Sequence, residues 1–322
     1  LNPKTRTRLF NLARIVISLA LLAWVLSRAG PAQLAATARA ADLRLYALAL
    51  ALALVGIFMR AARWLGLLRA VGARVPARRA VYLYFVGAFF NTFLPTGFGG
   101  DVVRVLEIGD GATSAQAAGT ALVDRLTGFI MLFVLALAAL PWAYGLLPAN
   151  LAWAIGGLAL AVLAGSALLF EGRLIRRLTG RLPRAISPAG DAWIGRTYAV
   201  ITAVGWRGIA GALAWSLAFN LQLIVANGLV ARALGLSVSP WVFFAFVPVT
   251  TAALLAPISI SGLGVREGLY VLLFGQVDVG QTAAVALSLG VYSLDVAMGL
   301  IGGALYLGAG VLGMRRKVAT DG

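Results

Sequence analysis

The chain has 322 residues, 61% of them apolar and only 12% charged, with 27 Lys+Arg against 11 Asp+Glu for a formal charge of +16. A mean hydropathy of +0.93 far exceeds that of a water-soluble domain, which runs at about 45–50% apolar and about 25% charged. The absence of Cys and His excludes disulfide scaffolds, Cys/His metal centres and imidazole acid–base chemistry, leaving carboxylates, arginines, hydroxyls and backbone dipoles.

Apolar runs long enough to cross about 30 Å of hydrocarbon need about 20 residues. The first is Leu9–Leu26, broken only by Arg14; at 18 residues it exceeds the 7–15 of a signal-peptide core and reads as a retained anchor. Leu43–Met59 is the second. Val81–Leu94 is apolar and aromatic but only 14 residues, and it ends in the Pro- and Gly-broken LPTGFGGD, so it enters the bilayer and stops. The run Ala115–Leu126 continues into Thr127–Leu140, giving the third crossing, and Leu151–Phe170 and Ile209–Val230 are uncharged crossings. Trp241–Ala256 repeats the earlier pattern, ending in APISISGLGVRE before Leu269–Phe274, which is again too short to span. Ala283–Leu312 is 30 residues with one acid, Asp295; at 1.5 Å per residue this is about 45 Å, which predicts a break near Gly290.

The expected fold is therefore all-α and polytopic: six full transmembrane helices plus two re-entrant helical hairpins, in a single membrane domain covering 1–322. The hairpin regions are 80–126 and 241–290, and a cytoplasmic loop runs over 171–208. Hairpins of broken backbone are tolerated at membrane depth only where protein or a wet cavity surrounds them.

Nineteen basic residues fall on one side of these spans: Lys4, Arg6 and Arg8; Arg60, Arg63, Arg69, Arg74, Arg78 and Arg79; Arg173, Arg176, Arg177, Arg181, Arg184, Arg196 and Arg207; Arg315, Arg316 and Lys317. Arg28, Arg39, Arg44 and Arg232 fall on the other. The bias puts both termini in the cytoplasm. The arginines interleave with apolar spans instead of gathering on a solvated face, which argues against a nucleic-acid partner. Arg14, Arg104, Arg125 and Arg266 remain at membrane depth.

Three crossings separate the hairpins, so they enter from opposite sides. Pro95–Arg104 and Pro257–Arg266 share a nine-residue offset, and QAAGTAL from Gln116 matches QTAAVAL from Gln281 at four of seven positions. Together these predict an inverted repeat, the arrangement that sets a substrate site near the midplane in many transporters.

Arg104 and Arg266 follow the Gly-rich breaks, where a helix N-terminus favours anions. Candidate substrate-binding residues are Arg104, Arg125 and Arg266 with Asp101, Asp124, Glu267, Asp295 and Asn91. Candidate tip residues are Pro95, Gly97, Gly99, Gly100, Pro257, Gly262 and Gly264. Intramembrane charge is costly and pairs internally, so Arg104–Asp101 or a pair involving Asp124 and Arg125 can equally serve to lock the hairpins. GFGG lacks the GK[ST] of a P-loop, and no catalytic residue, metal ligand or cofactor is predicted. Asn220, Gln222 and Asn227 read as interhelical hydrogen-bonders, and Trp142 and Trp153 as an interfacial belt. Leu174, Ile175, Leu178 and Leu182 among the loop arginines fit either an amphipathic surface helix or an orienting loop.

NTFLPTGFGGDVVR from Asn91, TALVDRLTG from Thr120 and PISISGLGVREG from Pro257 resemble the flippase-like membrane domain family. That domain forms the transmembrane half of lysylphosphatidylglycerol synthases and also occurs alone. The second tip reads SISGLGVRE where the family commonly has a more Gly-rich sequence. The resemblance implies a lipid-translocating domain of the bacterial inner membrane, with two re-entrant hairpins around a central cavity. The expected partners are membrane lipids, anionic or phosphate-bearing, with a lipid-synthesis enzyme as a possible further one. The synthases' cytosolic aminoacyltransferase domain is not found in this sequence, so no synthase activity carries over. Some stand-alone members are associated with polyprenyl-linked sugar or hopanoid pathways. Two other functions stay open: an integral-membrane transferase acting on a polyprenyl-phosphate lipid, for which the loop offers only Glu171 and Asp191, and a non-catalytic partner of a lipid-synthesis enzyme.

Overall fold

The computed structural model describes residues 30–94, 99–170, 193–254 and 262–311. The first predicted crossing, Leu9–Leu26, and most of the 171–208 loop lie outside them. Every regular element among the described residues is helical: α1 (Pro31–Arg39), α2 (Leu43–Ala70), α3 (Ala77–Phe93), α4 (Gly99–Leu106), α5 (Ser114–Ala143), α6 (Ala149–Phe170), α7 (Trp193–Ala203), α8 (Gly205–Ala233), α9 (Pro240–Ala253), α10 (Val265–Phe274) and α11 (Gln281–Val311). Five are long and apolar enough to cross a membrane, namely α2, α5, α6, α8 and α11. No more than 44% of the apolar window of any of these is buried within the protein, so the outward faces, with Phe58, Trp153, Leu160 and Leu307, are left for lipid.

Local chemistry sets the starts of the long helices. Asp42 caps α2, its carboxylate accepting from the N–H groups of Arg44 at 2.8 Å and Leu45 at 3.3 Å. Thr113 and Gln116 form a reciprocal capping box at the start of α5, which satisfies two otherwise orphaned backbone donors. The third crossing does draw on residues before Thr127, since α5 runs unbroken from Ser114.

The expected break near Gly290 is absent, and α11 continues for 31 residues. Gly290 serves packing instead: a Cβ there would come within 2.8 Å of the Val230 side chain on α8. α2 also outruns its prediction. It extends eleven residues past Met59 to Ala70, because Trp64, Leu65, Leu67 and Leu68 beyond the two arginines are buried in the core.

α3 and α4, and α9 and α10, form two pairs of short helices at the two predicted hairpins. The helix pairings repeat. α2 packs on α3, α5 and α11 as α8 packs on α9, α11 and α5; α4 lies between α3 and α5 as α10 lies between α9 and α11; α3 packs on α11 as α9 packs on α5; and α1 packs on α11 as α7 packs on α5. Exchanging α1–α5 for α7–α11 leaves this pattern unchanged. The remaining pair, α2 with α8, runs antiparallel: the Asp42 N–H donates to the Ala233 carbonyl at one end, and at the other a Cβ on Gly208 would lie 3.0 Å from Ala70.

Two apolar clusters flank that central pair. One gathers Ile57, Trp64, Leu68, Leu83, Phe85 and Met298, and the other Leu132, Phe243, Phe246, Tyr270, Phe274 and Leu287. Trp142 and Trp153, read from the sequence as an interfacial belt, are both exposed, and Trp142 stacks on Trp241 with ring centres 5.1 Å apart.

A candidate anion site between α2, α3, α4, α5 and α8

Gly56, Arg60, Arg63 and Leu67 recur at helical spacing along one stripe of α2. A second stripe, on α5, carries Asp124 and Gly128, with Arg125 beside it. Against them pack Tyr84 and Asn91 of α3, Asp101 and Arg104 of α4, and Ser216, Phe219 and Asn220 of α8. These elements enclose an open cavity of about 210 Å³, whose lining includes Arg60, Arg63, Tyr84, Asn91, Asp101, Arg104, Asp124, Arg125, Phe219 and Asn220.

Asp124 is the centre of the polar network and is 2% exposed. One carboxylate oxygen accepts from Arg63 Nε at 2.5 Å, while the other accepts from the Tyr84 hydroxyl and lies 3.5 Å from Arg104 Nη1. Arg104 also pairs with Asp101 one turn earlier, and Asp101 pairs in turn with Arg125. Arg63 Nη1 donates to Ser216 Oγ at 2.8 Å, and Asn220 Nδ2 donates to the Gly128 carbonyl at 2.9 Å. Aromatic faces complete the enclosure. The Arg104 guanidinium sits 4.3 Å from the Tyr84 ring centre and 4.8 Å from that of Trp64, and Arg60 lies 5.0 Å from Phe219. Such cation–π contacts strengthen when desolvated.

α4 approaches this site closely because Gly100 has no side chain. A Cβ there would meet the Gly87 carbonyl oxygen at 2.2 Å. The Gly100 N–H donates to Asn91 Oδ1 at 2.8 Å, so the last turn of α3 holds the first turn of α4.

The structure thus brings together Arg104, Arg125, Asp101, Asp124 and Asn91 of the predicted binding residues. Arg266 and Glu267 stand on α10 at the second hairpin and Asp295 on α11, and none of the three is among the residues lining this cavity. Arg266 lies 3.5 Å from Asp295 and over the Tyr292 ring. Glu267 is fully buried and accepts from the Gly264 N–H at 2.6 Å, with Ser288 Oγ at 3.4 Å, which makes it the cap of α10. Of the tip residues, Gly99 and Gly100 open α4, and Gly262 and Gly264 adopt φ of 77° and 79° at the turn into α10. Pro95, Gly97 and Pro257 lie outside the described residues, as do Glu171 and Asp191, the acids a transferase would use.

Arg60 and Arg63 are the main correction to the sequence reading. Counted there as orienting charges beyond the second crossing, they lie inside α2, with Arg63 only 5% exposed and paired to Asp124. Their spacing with Gly56 and Leu67, and the apolar run that follows, are the signals that place them inward. Seventeen basic residues are left on the side of the spans that carries the larger basic count. The helices group their described members consistently, with Arg69 and Arg207 at one end of the α2–α8 pair and Arg44 and Arg232 at the other. Tyr84, Ser216 and Phe219 were also not anticipated, because nothing local in sequence separates them from other helix-facing residues.

Asn227, predicted to bridge helices, accepts from the Tyr270 hydroxyl at 2.9 Å. Tyr270→Phe should cost about 0.6 kcal/mol, the mean for interhelical hydrogen bonds in membranes, and no more than about 1.7 kcal/mol, as measured by unfolding in mixed micelles.

No curated protein and no solved structure matches the chain. A family model described as the lysylphosphatidylglycerol synthase TM region matches residues 11–303. The chain belongs to that family, and with it to membrane proteins with a lipid-related role.

Proposed function

We propose that this protein translocates a phosphate-bearing lipid across the bacterial cytoplasmic membrane, with the headgroup received in the cavity between α2, α3, α4, α5 and α8. The observation that carries the reading is the convergence of four guanidinium groups, Arg60, Arg63, Arg104 and Arg125, on one open cavity, with Arg60, Arg63 and Arg125 on helices long and apolar enough to cross a membrane. Ionisable groups at that depth mark substrate pathways by default, and the planar fork of arginine suits phosphate oxygens.

The repeated helix pairings and the antiparallel α2–α8 pair support two repeats of opposite orientation. With Leu9–Leu26 counted in the first, each repeat holds three crossings, and a substrate site between such repeats is the common transporter arrangement. The basic bias supports cytoplasmic termini.

Arg60 gives the sharpest test. Among the described residues it makes no ion pair; its Nε lies 3.4 Å from the Gly56 carbonyl, so its replacement breaks no buried charge pair. In proteoliposomes carrying reporter phospholipids, Arg60→Gln should lower the flipping rate by about tenfold, the scale of one charge-assisted hydrogen bond, with an unchanged melting temperature. Arg104→Ala combined with Arg266→Ala should lower it further. Equal rates for wild type and all variants would sink the assignment.

A further inference from the structure

Two carboxylates answer four guanidiniums in the cavity lining. Asp124 is engaged by Arg63 and Arg104, and Asp101 by Arg104 and Arg125. Arg60 meets an aromatic face instead. The other polar lining groups, Tyr84, Asn91, Asn220 and Thr251, supply no further negative charge. Around the site, Asp295 acts electrostatically on Arg60, but it is already matched by Arg266 at 3.5 Å, so that pair adds no net charge. Among the described residues, the lining carries two positive charges more than its acids neutralise.

Resting on the translocation reading, we infer that the cavity selects lipids whose headgroup carries two negative charges, a phosphomonoester or a diphosphate. Uncompensated charge in a poorly solvated site is costly. A dianion cancels the whole excess, a phosphodiester leaves one charge unanswered, and a zwitterion leaves both. A cationic headgroup finds no carboxylate to meet, because both aspartates are held by arginines. The selectivity is therefore set by the imbalance between the acids and the arginines, with Arg60 its most separable contributor.

The test is a binding titration of the purified full chain in nanodiscs of zwitterionic lipid. The probes are short-chain phosphatidic acid as phosphomonoester, phosphatidylglycerol as phosphodiester, and inorganic phosphate and diphosphate as soluble sources of the same chemistry. The phosphomonoester lipid should bind at least about tenfold more tightly than the phosphodiester. That advantage should fade as pH falls through about 6, where a phosphomonoester loses its second charge, while phosphodiester binding stays level. Arg60→Gln should bring the two lipids to similar affinity. Asn91→Asp should do the same by adding an acid while keeping the oxygen that accepts from the Gly100 N–H.

Equal affinity of wild type for the two lipids would overturn the inference, as would saturation by inorganic diphosphate at lower concentration than by the lipid. Binding is read here without transport. A protein that selects the dianionic lipid but does not move it keeps this inference and loses the translocation reading. One that moves the phosphodiester equally well does the reverse.

Discussion

Asp124→Ala is expected to destabilise the folded protein by about 3–5 kcal/mol, the cost of breaking a buried ion pair by removing one partner. The carboxylate holds Arg63 through Nε at 2.5 Å and lies 3.5 Å from Arg104, and it accepts the Tyr84 hydroxyl. Without it, Arg63 keeps only Ser216 as a side-chain hydrogen-bond partner and no ion-paired carboxylate among the described residues. Arg104 still has Asp101, so most of the penalty falls on Arg63. That asymmetry supplies a check. Adding Arg63→Met to Asp124→Ala should recover a large part of the loss, because an apolar side chain replaces a stranded cation, whereas adding Arg104→Met should recover less. Thermal unfolding in detergent measures all four proteins, and a wild-type melting temperature for Asp124→Ala would show that the network is not a structural keystone.

The second large effect concerns packing. Gly302→Ala should destabilise by about 3 kcal/mol, the upper end of ordinary overpacking costs, because the new Cβ would sit 1.8 Å from the Phe85 carbonyl oxygen. That obstacle is backbone, which cannot rotate aside, so α11 must withdraw from α3. Gly308→Ala, in the same helix with nothing within 4 Å, is the matched control. It should stabilise by up to about 1 kcal/mol through helix propensity alone. Equal melting temperatures for the two variants would contradict the close approach of α3 and α11.

Much of the site was legible because a broken apolar run is a strong local signal. LPTGFGGD stops α3, and Arg104 and Asp101 follow at a helical spacing that already suggests their pair. Asp124 and Arg125 are conspicuous in an apolar stretch, but their adjacency hides that they serve different partners: neighbours on a helix point about 100° apart, and Asp124 turns to Arg63 and Arg104 while Arg125 turns to Asp101. Arg60 and Arg63 were misplaced for a physical reason. An arginine after a long apolar run looks the same in sequence whether it stops at the lipid headgroups or continues into a polar interior. Only the fate of Trp64, Leu65, Leu67 and Leu68 distinguishes the two. Gly290 misled in the opposite direction, because a glycine wanted for close helix contact and one wanted for a bend carry the same letter.

The exchanged pairing of α3 with α11 and of α5 with α9 has a consequence for biogenesis. Arg63, Tyr84, Arg104, Asp124 and Arg125 all emerge within the first half of the chain, so the polar knot can close soon after α5 is made. The apolar seam along α3 has to wait for α11, the last of the described helices in chain order. During that interval Phe85, Phe89 and Phe93, which meet Gly302, Gly303 and Gly299 of α11, line an unfinished face, and lipid or an insertion factor must shield it until α11 arrives.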